Sequence, residues 1–141
     1  MKKGFTLFEA ALAVALLAVL VYMGSVSFLP LIPKYRLEKA VWDIRSALNS
    51  ARYKALFEGT SRRVRFSAVS YAVDKFDEGK NAWALAERHY CEGVTLESNN
   101  SPVFTPEGSV TGLATIYIKN AWGIYKITLA ITGRIKSARV L

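Results

Sequence analysis

Apolar residues are bunched at the start of the chain and periodic after it. Phe5 to Ile32 holds 22 apolar residues in 28 positions, and Ala10 to Ile32 has no charged residue. As a helix those 23 uncharged residues would be about 35 Å long, enough to cross a bilayer. From Leu37 the pattern becomes helical in a different way. Leu37, Ala40, Val41, Ile44, Ala47, Leu48, Ala51, Ala55 and Leu56 recur at three- and four-residue steps, which predicts an amphipathic helix to about Glu58 with Gly59 as its C-terminal cap. Its apolar stripe is expected to rest on a sheet. Arg45, Arg52 and Lys54 are expected to be solvated.

After Gly59 the period changes to two. Val64, Phe66 and Ala68 alternate with Arg63, Arg65 and Ser67, which predicts a strand. Phe76 to Asn81 reads as a turn, Trp83 to Leu96 as strand in pieces, and Glu97 to Pro102 as a polar loop. Thr115–Lys119 and Ile124–Ile131, joined by Asn120-Ala121-Trp122-Gly123, predict a hairpin. Thr132-Gly133 then turns into a last strand, Arg134 to Val140. Pro30 and Pro33, with Gly24 as an earlier weak point, mark where the long helix is expected to bend.

Composition separates two materials, an apolar rod and a water-soluble body large enough for one domain but not two. A fully soluble protein, a multi-span membrane protein and a disordered chain are excluded. Charge is uneven within the total of +8. Lys34 to Arg65 carries nine basic and three acidic residues, Phe66 to Glu107 three and seven, and Gly108 onward five basic residues and no acid. Such a balance fits either an anionic partner, nucleic acid or lipid, or a solvated surface.

Little chemistry is encoded. Cys91 is the single cysteine and His89 the single histidine. The two are expected on one strand face, as a half-buried thiol and a surface imidazole, and two ligands do not make a zinc site. Asp74, Asp77 and Glu78 lack the spacing of a calcium loop and read as a solvated turn. No nucleophile motif, phosphate loop or paired carboxylates stand out, so no catalytic residue, cofactor or metal is expected.

The N-terminal residues are more specific. The apolar run is too long for a secretory signal peptide, and Glu9 stands near its start. An ionised carboxylate in lipid is costly unless paired. Lys2-Lys3-Gly4-Phe5-Thr6-Leu7-Phe8-Glu9 resembles the leader and cleavage site of type IV prepilins and of the pseudopilins of type II secretion. That resemblance implies cleavage between Gly4 and Phe5 by a membrane prepilin peptidase, N-methylation of Phe5, and pairing of Glu9 with the Phe5 amine of a neighbouring subunit. Removing Lys2 and Lys3 lowers the net charge from +8 to +6. Lys34, Arg36 and Lys39 lie beyond the span, so a count of flanking charges does not favour a cytoplasmic N-terminus. The peptidase motif does, and it puts the domain on the periplasmic side of a bacterial inner membrane.

The body is similar to minor subunits of the type that includes GspH of type II secretion and FimT of type IV pili. The resemblance rests on Ser50-Ala51-Arg52-Tyr53-Lys54-Ala55 closing the helix, Gly59 with Val64, Phe104-Thr105-Pro106-Glu107-Gly108, and the terminal Thr132-Gly133-Arg134-Ile135. It implies an α+β fold, a long N-terminal helix on antiparallel sheets. The expected segments are a leader (1–4), an assembly helix (5–32), the soluble half of the helix (33–59) and a β-rich domain (60–141). Expected partners are other pilin-type subunits, the peptidase and the inner-membrane platform of the assembly machine. In FimT-type subunits a Gly-Arg-x-Arg turn is associated with DNA binding. Here Gly133-Arg134-Ile135-Lys136 puts lysine at the second position, keeping charge but losing the planar fork. With Arg139 and Lys126, the turn is either a structural feature or a phosphate-contacting DNA site.

Overall fold

The computed structural model describes residues 6–28 and 31–140. They divide into two units between Ile32 and Pro33. The first contains helix α1, Leu7–Phe28. Thr6 caps it: its Oγ1 accepts a hydrogen bond from the Glu9 amide at 3.3 Å. Thr6 and Glu9 thereby stand in the spacing of a capping box. Gly24, expected as a weak point, lies inside α1 without ending it, because one glycine costs only about 1 kcal/mol against alanine.

Helix α2 runs Leu31–Glu58. Pro33 sits in its first turn, where a missing N–H has no intrahelical partner to lose. The expected bend at Pro30 falls outside the described residues. At the other end Gly59 adopts φ +61°, the left-handed conformation that terminates helices, and Thr60 Oγ1 donates to the Glu58 carbonyl at 3.1 Å.

Nine strands follow among the described residues, in two antiparallel sheets. The first sheet has the order β3-β2-β1-β5-β6, built from β1 (Arg62–Ser67), β2 (Ser70–Asp77), β3 (Ala82–Tyr90), β5 (Val103–Phe104) and β6 (Val110–Thr111). The second has the order β4-β7-β8-β9, from β4 (Thr95–Ser98), β7 (Thr115–Asn120), β8 (Gly123–Leu129) and β9 (Ile135–Arg139). The short β5–β6 pair was not legible as strands, since two residues each carry no period.

The apolar stripe of α2 is buried as its spacing predicts. Leu37, Ile44, Leu48, Ala51 and Ala55 share one core with Val64, Val73, Phe104, Ile116, Ile118, Ile127 and Leu129. Each large side chain buried there stabilises the fold by roughly 1.5 to 3 kcal/mol. Leu56 departs from the stripe and is half exposed, lying against Gly108.

Three expectations need correction. Asp74 is not in a solvated turn: it is buried in β2 and held by Arg63 and Arg65 of β1. Only the end of that segment is a turn, where Asp77 Oδ1 accepts from the Gly79 and Lys80 amides at 3.0 and 3.3 Å. Cys91 is buried, with 8% of its surface exposed, rather than half-buried, whereas His89 is exposed and stacks on Tyr71 with ring centroids 5.1 Å apart. Arg52 is solvated only in part, its Nε being buried.

Candidate assembly helix and basic sheet face

Two groups of residues carry the functional expectations, one at each end of the chain. Gly4 and Phe5 lie outside the described residues. Glu9 is in the first turn of α1, exposed on a helix whose span Leu7–Gly24 is apolar enough to cross a bilayer and has no residue buried by the rest of the protein. An apolar helix with no protein covering it requires lipid or other helices around it. Glu9 is the one acid on that span, close to its start.

At the other end, Gly133 has φ +76° in the loop between β8 and β9. Its amide donates to the Ala130 carbonyl at 2.9 Å, and the Ala130 amide donates to the Arg134 carbonyl at 3.0 Å. This matches a three-residue hairpin loop closed by a left-handed glycine. Arg52 of α2 covers that glycine: a Cβ on Gly133 would lie 2.6 Å from the arginine Nε. The Arg52 Nε is buried there without a hydrogen-bond partner among the described residues. Sequence reading missed this link because 81 residues separate the two positions.

Strand register sorts the basic residues into two faces. One row of cross-strand partners runs Glu97, Tyr117, Lys126, Ala138, and the next runs Thr115, Thr128, Lys136. The opposite face carries the core rows, Ile116–Ile127–Ser137 and Ile118–Tyr125–Arg139. Side chains alternate along a strand, so Lys136 and Arg139 point to opposite sides of β9. Arg139 is exposed and stacks on Trp122, its guanidinium carbon 3.8 Å from the ring centroid. The outer face instead carries Lys136, Lys126 and Lys119, the last two beside Tyr117. The Lys119 and Lys126 ammoniums lie 5.8 and 5.9 Å from its ring centroid. Lys119 pairs with Glu97 at 2.5 Å, while Arg134, Lys126 and Lys136 form no ion pair among the described residues. Lys119 and Tyr117 join the expected set only through β-pairing; their period-two spacing was the available signal.

The remaining titratable groups serve the fold. Burial raises the Tyr71 phenol to about 12, with Asp43, Cys91 and Glu87 adding to it. Burial also raises the Cys91 thiol, and nearby Asp43 adds to that. A thiol held protonated is a poor nucleophile. No group of three or more metal-ligating side chains occurs among the described residues.

No protein-family model matches the chain, and no curated protein does. Solved structures do match. The minor pseudopilin EpsH from the Type 2 Secretion System of Vibrio cholerae aligns with TM-score 0.64 at 14% identity, over 74% of this chain and 97% of that one. A second EpsH structure gives TM-score 0.63 at 13% identity, over 74% and 94%. The type IV minor pilin FimU of Pseudomonas aeruginosa gives 0.60 at 17% identity, over 74% and 90%. With an apolar N-terminal helix, a second helix on two antiparallel sheets and these neighbours, the chain has the pilin-like α+β fold of minor pseudopilins and minor pilins.

Proposed function

We propose that the chain is a non-enzymatic minor pseudopilin or minor pilin, a structural subunit of a type II secretion pseudopilus or type IV pilus. The observation that carries this is the joining of an uncovered, bilayer-length apolar helix to a domain of pilin-like fold. In this reading prepilin peptidase removes residues 1–4 and Phe5 becomes the N-methylated first residue. Residues 5–32 anchor the chain in the bacterial inner membrane and then in the filament. Residues 33–59 are the soluble half of the helix and 60–141 the periplasmic domain. Pairing between Glu9 and the Phe5 amine of a neighbour neutralises two charges in a medium where each alone is costly, and so sets the stagger between subunits. The test is incorporation: Glu9→Ala should leave the chain in the membrane and remove it from sheared filaments. Normal incorporation of that variant would remove the pairing role.

A second reading, DNA binding during uptake, is favoured by the lysines of the outer sheet face beside Arg134. Tyr117 between Lys119 and Lys126 is a base-stacking platform with phosphate-binding charge on either side. Gel shifts across a salt series test it. Binding at low salt that is lost in Arg134→Ala with Lys136→Ala supports it, and no binding at low salt removes it. Arg139→Ala, on the opposite side of β9 from Lys136, should weaken that binding less than the double variant does.

A further inference from the structure

One flank of α2 carries a line of cations beside the edge of the second sheet. At about 100° per residue, Lys34, Arg45 and Arg52 fall within about 20° of one line, about 70° round the helix from the buried residues Leu37, Ile44, Leu48 and Ala55. Contacts at both ends hold that line against the second sheet. Near the start of α2, Asn120 Nδ2 donates to the Pro33 carbonyl at 2.6 Å, and the Lys34 ammonium lies 5.5 Å from the Trp122 ring centroid. Near its end, Arg52 covers Gly133. Strand β9 begins just after Gly133 and reaches Arg139, which stacks on that same Trp122. β9 therefore runs alongside the line, antiparallel to α2, with Arg45 between the two ends. It is the outer strand of its sheet, so no further strand lies beyond it among the described residues.

This seam is dominated by one sign of charge. Lys34, Arg45, Arg52 and Arg134, the last just before β9, form no ion pair among the described residues, and Arg139 adds another cation. The line extends about 27 Å from Lys34 to Arg52. Between these cations it carries Glu38, Val41 and Asn49, and beyond Arg52 it ends at Leu56. Glu38 is its one acid, Glu107 stands past Leu56 beside Gly108, and β8 and β9 contain no acid. The other flank of α2 is balanced: Lys39 and Asp43 share a groove with Glu87, and Lys54 pairs with Glu87. The seam also lacks an exposed apolar anchor. Val41 is buried, Leu56 is half exposed, and the Trp122 ring lies against two cations. A protein or lipid partner needs desolvated apolar anchors, whereas a phosphodiester backbone is held by charge alone. Arginine forks suit phosphate oxygens, and Arg52 and Arg139 are already seated on Gly133 and Trp122.

We propose that the seam of α2 and β9 is a track for the phosphate backbone of DNA, with Arg45 and Arg52 as contact residues and Lys34 and Arg139 continuing it. This rests on the DNA-binding reading and extends its site from the outer sheet face onto α2. The backbone crosses the edge strand at Arg134 and Lys136 and then follows the helix.

The test uses the full chain in non-ionic detergent and a short labelled DNA duplex, with binding followed by fluorescence anisotropy across a salt series. The slope of log affinity against log salt counts the phosphates neutralised, at about 0.9 for each. Arg45→Gln with Arg52→Gln should weaken binding at low salt and reduce that slope by about 2. Because Arg52 also touches Gly133, Arg45→Gln with Lys34→Gln is a second pair that leaves this contact intact and should act alike. Lys39→Gln with Lys80→Gln, both exposed, removes the same charge away from the seam and should leave the slope unchanged. A wild-type chain that binds, with seam variants that keep its affinity and slope, overturns the track and leaves the DNA-binding reading standing. Equal losses in the seam and control variants assign the effect to net charge and also overturn the track. Displacement of the duplex by polyglutamate as effectively as by unlabelled duplex assigns the seam to an acidic protein, with the same consequence. No binding by the wild type at low salt removes the reading and the track together.

Discussion

Arg65 holds Asp74 by two parallel hydrogen bonds, Nε to Oδ2 at 2.6 Å and Nη2 to Oδ1 at 2.9 Å. Arg63 adds two more to Oδ2, at 3.1 and 2.9 Å. Its guanidinium carbon also lies 4.6 Å from the Trp83 ring centroid. Asp74 is almost wholly buried, and the β2–β3 register shifts between Val73 and Asp74. The cluster therefore ties β1, β2 and β3 together. Burial alone would raise the Asp74 carboxyl, but the hydrogen bonds from Arg65 and then Arg63 outweigh it and hold the carboxyl below its usual range.

Asp74→Ala should destabilise the domain by about 2 to 4 kcal/mol, less than a fully buried pair because both arginines keep contact with water. A depressed carboxylate contributes its stability in full above the unfolded value near about pH 4 and loses it as pH falls through the folded value. Melting temperature measured from pH 7 to pH 2 should therefore fall less steeply in Asp74→Asn than in the wild type below that point. Some decline should remain, since Glu58 and Glu87 are also held low by basic partners.

Gly133→Ala should cost about 1 to 3 kcal/mol from the left-handed backbone, plus the displacement of Arg52. A double-mutant cycle in chemical denaturation separates the two. In an Arg52→Ala background the substitution should cost less than in the wild type, because the guanidinium no longer occupies the Cβ position. Equal costs in both backgrounds would mean that the contact carries no energy.

Cys91 should react slowly with an aromatic disulfide reagent at neutral pH in the folded protein and quickly after unfolding, since its thiol is buried and held protonated. Tyr71, pushed up to about 12 by burial, should still be neutral at pH 11 when absorbance near 295 nm follows the seven tyrosines. Because the unfolded phenol ionises near about pH 10, stability from Tyr71 is lost as pH rises through the interval between the two values.

Where periodicity repeats, the sequence is easily read. The stripe Leu37–Ala40–Ile44–Leu48–Ala51–Ala55 marks both the helix and its buried side, and the Gly59 cap follows from its φ requirement. The hairpin around Ala121-Trp122 is legible because two alternating runs flank a short turn. Contacts distant in sequence are not legible. Arg52 against Gly133 and Asp74 between two arginines depend on how α2 and β2 are placed, and Asp74 among Lys75, Asp77 and Glu78 looks like any polar turn. The outer face is partly legible: Lys126 and Lys136 were seen as neighbours, and the opposition of Arg139 to Lys136 follows from their odd spacing within the expected strand Arg134 to Val140, whatever its first residue. The Thr6-x-x-Glu9 cap was readable and is overshadowed by the cleavage motif it overlaps.

The processed N-terminus tests the central claim most directly. The full chain should be expressed in cells that hold a prepilin peptidase, purified from the membrane, and its N-terminal peptide measured by mass spectrometry. A pilin-type subunit starts at Phe5 with one added methyl group, and substitution of Gly4 leaves it unprocessed. A chain that keeps Met1 to Gly4 in the presence of active peptidase, or one cut after the apolar run, would contradict assignment to this class of filament subunit.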